Sequence, residues 1–348
     1  MTRPSPWWHS HRHADRRPFL IDRQSILRTL RDYFEGEGFI EVETPILQIS
    51  PGNEIHLHAF RTELLDTAGC GRGHLYLHTS PEFAMKKLLA AGEQRLFTFA
   101  RCFRNRELGS RHHPEFTMLE WYRARESHDV LMTDCEEILC RSAQALGRNQ
   151  LQVAGIDIPL IRPFERLSVA DALMKFAGID LFAVSDIPAF RKAARCCNVR
   201  TGDDDSWSDI FSRVLVERIE PNLGHDRPTF LIDYPLSEAA LARAKADDPR
   251  LAERFELYAA GMELANGFGE LTDPVEQRRR FAADMDEKEK LYGERYPIDE
   301  DFIEALATMP EASGIALGFD RLVMAVTGAR QIEQVIWAPT PFGGLSST

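Results

Sequence analysis

RCFRNRELGSRHHPEFTMLEWY, residues 101–122, sets two alternating runs around a polar, basic loop. The first run ends at Arg104. The second carries Phe116, Met118, Glu120 and Tyr122 at period two, so these four share one face of a strand. An antiparallel hairpin here puts a guanidinium, a stackable ring and a carboxylate on one wall. Such a wall suits a phosphate, an adenine and an ammonium group.

Further along, residues 255–265 read FELYAAGMELA. A turn at Ala259-Ala260 closing onto Gly261 pairs Leu257 with Met262 and Glu256 with Glu263. Two carboxylates opposed on one face repel, and a divalent cation removes that penalty. Oxygen-only ligands suit Mg²⁺ carried in by nucleotide phosphates. Spacing alone fits two solvated surface glutamates equally well. The following NGFGEL places Asn266 and Glu270 in a glycine-rich turn. A third stretch, SGIALGFDRLVMAV (313–326), reads as a small-residue strand entering a helix at Asp320 and Arg321. Small residues admit a ligand close to the backbone, and the helix N-terminus favours anions.

Around these lie ordinary elements. Residues 1–18 read as an irregular arm, and His9, His11 and His13 as part of that tail rather than a metal cluster. A helix is predicted from about Phe19 to Glu37, then an edge strand stopped by Pro45. HLYLHT (74–79) reads as a strand and GCGRG (69–73) as a turn. SPEFAMKKLLAAG reads as a helix with Ser80 as N-cap and Pro81 at its first position. Residues 129–147 and most of 166–226 are predicted helical, the latter an insertion, and 228–234 a strand. No Walker A sequence is present, which excludes a P-loop ATPase.

Composition narrows the class. The 348 residues are 44% hydrophobic, enough for a large core, and the formal charge of −12 disfavours non-specific nucleic-acid binding. None of the six cysteines forms a C-x-x-C pair, which fits a reducing cytoplasm. No apolar stretch reaches membrane-spanning length and no signal core is visible, so no membrane partner is expected.

The three stretches resemble the ordered signature motifs of class II aminoacyl-tRNA synthetases. Residues 19–45 look like motif 1, 101–122 like motif 2 and 313–324 like motif 3; the FEL…MELANGF-x-EL segment is similar to the lysine-specific core. The resemblance implies an α+β fold, an antiparallel sheet flanked by helices, in one catalytic domain over 19–348. It implies ATP and Mg²⁺ as cofactors and a homodimer built on motif 1. By the same resemblance, Arg104 would hold the α-phosphate and Arg321 the far phosphates, the two catalytic residues. Phe116 would stack on adenine, and His112 would face phosphate. Asn105, Arg106, His113, Leu257 and Gly318 would line the nucleotide, and Glu256 and Glu263 would ligate Mg²⁺. Glu120, Tyr122 and Glu270 would take the substrate's side-chain ammonium, with Ser80, Pro81 and Glu82 at the other amine. Asn266, Ala316 and Glu263 would complete the substrate pocket.

Three departures shift the expectation. The core begins by residue 19, which leaves no room for an anticodon-reading domain. Ala316 stands where lysyl-tRNA synthetases have glycine. Arg106 and His113 stand where those enzymes typically have Glu and Asn. The isolated core with Ala316 is similar to the elongation factor P β-lysine ligase family. That family activates (R)-β-lysine with ATP and attaches it to a lysine of elongation factor P, with no tRNA partner. The alternatives are a truncated enzyme that charges tRNA and a non-catalytic regulatory paralogue.

Overall fold

A computed structural model describes residues 6–340. Chain order begins with α1 (Ser10–Gly36), β1 (Ile40–Glu41), β2 (Leu47–Gln48), β3 (Phe60–Leu65), β4 (Gly71–Leu77) and α2 (Glu82–Ala90). It continues with β5 (Arg95–Phe103), β6 (Glu115–Ala124), α3 (His128–Gln144), β7 (Gln150–Val153), β8 (Ile156–Pro159) and β9 (Glu165–Ser168). The helices α4 (Val169–Ala177), α5 (Ile187–Cys196) and α6 (Trp207–Val214) follow, then β10 (Thr229–Pro235), β11 (Leu251–Ala259) and β12 (Met262–Gly269). The chain closes with α7 (Pro274–Tyr292), α8 (Glu300–Leu306), β13 (Ala312–Gly318) and α9 (Phe319–Thr327).

Eight strands make one sheet in the order β1-β5-β6-β13-β12-β11-β10-β9. The inner six run antiparallel, and a parallel pair closes each edge, β1 on β5 and β9 on β10. The fold is therefore α+β, as expected. Alternation along β6 decides what each face does. Leu119 and Trp121 point to one face, where Phe34 of α1, Leu139 of α3 and Val323 of α9 complete the main core. A fully buried aliphatic or aromatic side chain there contributes about 2 kcal/mol. Phe116, Met118, Glu120 and Tyr122 take the opposite face, as the period predicts.

Helices α4 to α6 build a second core around Phe190, Phe211 and Tyr234, against β10 and β11. Residues 169–222 are largely helical, as expected. Local chemistry fixes their ends: Ser206 and Asp209 form a reciprocal capping box on α6, and Ser168 caps α4 by accepting from the Asp171 N–H.

Three expectations need correction. The first helix starts at Ser10, not near Phe19, so most of the expected irregular arm is helical; residues 1–5 lie outside the described residues. The cause is tertiary. Arg16 is buried, donates to the carbonyls of Glu333 and Ile336, and lies 5.7 Å from the Trp7 ring centre. Secondly, α2 begins at Glu82 with Pro81 at the cap position. Ser80 Oγ accepts from the Glu82 N–H at 3.0 Å, but its own proton goes to Glu120 rather than to the helix. Thirdly, Asn266 lies within β12 and Glu270 directly follows it, on sheet structure rather than a turn.

Candidate active site

The β5–β6 hairpin runs in unbroken register, with Cys102 opposite Phe116, Thr98 opposite Glu120 and Leu96 opposite Tyr122. On its other side β6 meets β13, which sets Gly318 beside Met118, Ala316 beside Glu120 and Gly314 beside Tyr122. Gly314 has a packing reason. A Cβ there would lie 2.2 Å from Tyr122 Cε1 and 2.3 Å from Glu270 Oε1. At this position the space freed by glycine is filled by site side chains, not left for a ligand.

The β11–β12 hairpin departs from the expected register. Its turn is Ala260-Gly261, both at positive φ (43° and 67°), so Ala259 pairs with Met262 and Tyr258 with Glu263. A bulge then leaves Leu264 as the extra residue, and Glu256 pairs with Asn266. Glu256 and Glu263 are thus not direct cross-strand partners. Glu263, opposite Tyr258, nevertheless shares the face of Glu256, and the bulge brings Asn266 onto that same face.

These faces line a cleft of about 540 Å³. One end is cationic. The Arg104 guanidinium lies 5.3 Å from the Phe116 ring centre. Arg321, at the start of α9, donates to the Glu263 carbonyl at 3.0 Å and to His112 Nε2 at 2.6 Å. Burial and the neighbouring Arg321 push the His112 imidazolium pKa down, so the neutral ring accepts that bond. Between these arginines stand the carboxylates. Glu256 takes Arg254 at 2.6 Å and the Tyr258 hydroxyl. Burial, and then Glu256, push Glu263 up. Glu220, not recognised from sequence, is pushed up to about 7 by burial and by both of them.

The other end is acidic: Ser80 and Glu82 line it, and Glu120 and Glu270 are buried behind them. Glu120 is buried and accepts from Ser80 Oγ at 2.5 Å and from the Tyr122 hydroxyl at 3.0 Å. Burial, and then Glu82, raise its pKa to about 8. Glu270 is also buried and raised, through loss of solvent. Lys86 reaches Glu270 at 2.6 Å and Glu82 at 2.5 Å. A side lobe holds Glu54, Glu238 and Asp284, the last pushed up to about 7 by burial and by Glu54.

Not every expected residue faces the cleft. Asn105 donates its N–H to the His58 carbonyl at 2.6 Å, and Arg106, half exposed at φ 65°, pairs with Glu294. Arg106 thereby ties the loop to the segment after α7, and Asn105 ties it to the segment before β3. The Leu257 side chain lies in the main core, and Pro81 sits at the start of α2. Phe116, His112, His113, Asn266, Ala316 and Gly318 line the cleft. His113 is buried, its Nδ1 2.5 Å from the Glu115 carbonyl.

Motif 1 and motif 3 meet beneath the site. Arg23 of α1 pairs with buried Asp320 and donates to Thr117 Oγ1 at 2.9 Å, while Asp320 accepts the Thr117 N–H at 2.8 Å. Asp320 thus braces the hairpin through Arg23 and Thr117.

Residues 3–341 match the family described as tRNA synthetases class II (D, K and N). The chain belongs to the class II tRNA synthetases. Within that family it is 40% identical over 323 residues to the elongation factor P–(R)-β-lysine ligase of Sodalis glossinidius, covering 91% of this chain and 93% of that protein. The ligase of the same name from Haemophilus influenzae is 39% identical, again over 91% and 93%. A lysine–tRNA ligase of Pelotomaculum thermopropionicum is 37% identical over 91% of this chain, which spans 62% of that protein. Of the class II site, sequence reasoning missed Lys86, Glu220, Arg254 and the acidic lobe. Lys86 stands four residues after Glu82, a spacing that also describes an ordinary surface ion pair.

Proposed function

We propose that this protein is a ligase that activates (R)-β-lysine with ATP and transfers it to a lysine side chain of elongation factor P. The observation that carries the reading is the pairing of a cationic phosphate end with a buried carboxylate end in one cleft. Near-full-length similarity to ligases of that name supports it.

The proposed chemistry follows the cleft. The amino acid's ammonium groups settle among Glu120, Glu270 and Glu82, which leaves its carboxylate directed toward Arg104. That carboxylate attacks the α-phosphorus in line; the bond to the bridging oxygen breaks and pyrophosphate leaves. Arg104 stabilises charge on the α-phosphoryl oxygens, and Arg321 steadies the departing pyrophosphate. Phe116 offers its ring to adenine. The acceptor lysine amine then attacks the adenylate carbonyl, an amide bond forms and AMP leaves. No protein nucleophile is required.

Glu256 and Glu263 fit Mg²⁺ as an oxygen-donor pair completed by nucleotide phosphates. Among the described residues, no group of three His, Cys, Asp or Glu side chains is placed to hold a metal alone. Bound there, the ion would neutralise phosphate charge.

A homodimer is part of the proposal. Ile40, Ile46, Leu47, Ile49, Leu64 and Leu65 are exposed on or beside β1 to β3, next to the motif 1 helix, and this apolar surface supports such an interface. Among the described residues no helix is long and apolar enough to cross a membrane, and all six cysteines are free thiols, which supports a cytoplasmic setting.

Intact-mass analysis of elongation factor P, incubated with the protein, ATP and either (R)-β-lysine or α-lysine, tests the reading. The expected result is a gain of one lysyl mass, favoured with (R)-β-lysine. No gain while pyrophosphate exchange proceeds would overturn the acceptor. The 37% identity to a lysine–tRNA ligase makes tRNA the second acceptor to test.

A further inference from the structure

One buried charged group beside the acidic end of the cleft is not used by the proposed chemistry. Lys86 is 1% exposed, and its ammonium lies 2.6 Å from Glu270 and 2.5 Å from Glu82. A buried ion pair of this kind is weak evidence for stability, because apolar side chains of similar volume commonly serve a core as well or better. Its place in the pocket therefore calls for another reason. Glu270 turns one oxygen to Lys86, while Oε1 has no hydrogen-bond partner among the described residues. That free oxygen lies against the β13 wall beside Tyr122, at the position a Gly314 Cβ would occupy.

Resting on the proposed function, we infer that Lys86 is a specificity-determining positioning residue, a resident cation that holds Glu82 and Glu270 in place and sets the charge of the amino-acid pocket. Glu82 and Glu270 both reach the one fixed ammonium, and Glu120 stands next to Glu82. With all three ionised, two negative charges are left, and the two ammonium groups of a diamino acid neutralise them. A monoamine leaves a buried carboxylate unpaired, which is strongly penalised. Without Lys86 the pocket holds three carboxylates facing two ammonium groups. One carboxylate must then take a proton before the substrate fits.

The groups facing Glu270 fix the sign of the pH effect. Lys86 and Glu82 come from α2, Glu120 and Tyr122 from β6, and Arg243 from the segment before β11. Burial raises Glu270, Lys86 opposes that rise and Glu82 adds to it. Burial alone would deprotonate Lys86, but Glu270 and Glu82 outweigh it and hold the ammonium above its ordinary pKa.

The test measures pyrophosphate exchange against pH with (R)-β-lysine, with calorimetric binding of the same amino acid alongside. Lys86→Met should raise the amino-acid KM by about tenfold or more, leave the ATP KM within about twofold, and move the acidic limb up by roughly one pH unit. Lys86→Arg, which keeps the charge, should retain the wild-type limb. Glu82→Gln should move the limb the opposite way, to lower pH. A folded Lys86→Met protein with unchanged amino-acid KM and limb would overturn the inference, leaving Lys86 as packing. If Lys86→Met does not fold, Lys86→Gln, which keeps a donor to Glu82 and Glu270 without the charge, decides: a limb that moves up supports the resident-cation role, and an unmoved limb overturns it. A wild-type protein that binds no diamino acid by calorimetry overturns the proposed function and this inference together.

Discussion

Two hairpins supply the cleft, and they are built differently. The β5–β6 hairpin keeps one register from Arg95–Arg123 to Phe103–Glu115, so period-two reading of its sequence assigns every side chain to the right face. The β11–β12 hairpin breaks register between Leu257 and Tyr258. There the same reading puts Glu263 opposite the wrong residue, yet on the correct face. The face survives because a turn one residue later moves the partner of Glu263 by two, from Glu256 to Tyr258; the bulge, beyond Glu263, brings Asn266 onto that face. A regular hairpin transmits its pattern directly, whereas a bulged one aims side chains through an irregularity that alternation does not encode.

The comparison can be tested hardest on the regular hairpin. Arg104→Ala should remove ~3 kcal/mol of transition-state stabilisation, on the order of a hundredfold in pyrophosphate exchange, with a normal melting curve. Normal exchange in that variant would deprive the hairpin of its assigned role. On the bulged hairpin, Glu256→Gln and Glu263→Gln should each lower exchange by about tenfold and raise the Mg²⁺ requirement. The double variant should be little worse than the more damaging single one, because residues acting as a unit are non-additive. Multiplying effects in a Mg²⁺ titration would mean that this hairpin brings together nothing functional.

A third measurement returns to β6. Glu120 titrates near 8 because it is buried beside Glu82, and it must be ionised to hold an ammonium. Amino-acid kcat/KM should therefore decline as pH falls through about 8, and Glu120→Gln should flatten that limb while raising the amino-acid KM. The stability sign is opposite. A carboxyl pKa raised on folding favours the folded state at low pH, and that contribution is lost as pH rises through about 8. The ligand-free protein should thus melt lower at pH 9 than at pH 7, with bound amino acid narrowing the gap. The smallest effect belongs to the turn. Ala260 at φ 43° is strained, so Ala260→Gly should stabilise by about 0.5–1 kcal/mol, a rise of roughly 1–3 °C in Tm. An unchanged or lower Tm would show that the turn sets no strain.

Period and spacing, which act within a few residues, determined the site face of β6; the resemblance to the class II motifs implied the sheet-and-helix core and most of the charged residues expected at the cleft. Only tertiary structure decided the rest. Arg16 anchors a helix that local sequence does not announce. Asp320, read as a helix start, is taken by Arg23 and Thr117. Arg106 leaves the nucleotide loop for Glu294, and Lys86, indistinguishable in sequence from a solvated helix lysine, is buried between two carboxylates. In each case the partner lies far along the chain or the burial is set by other elements. Charge pairing and desolvation depend on distances in space, which no local pattern carries.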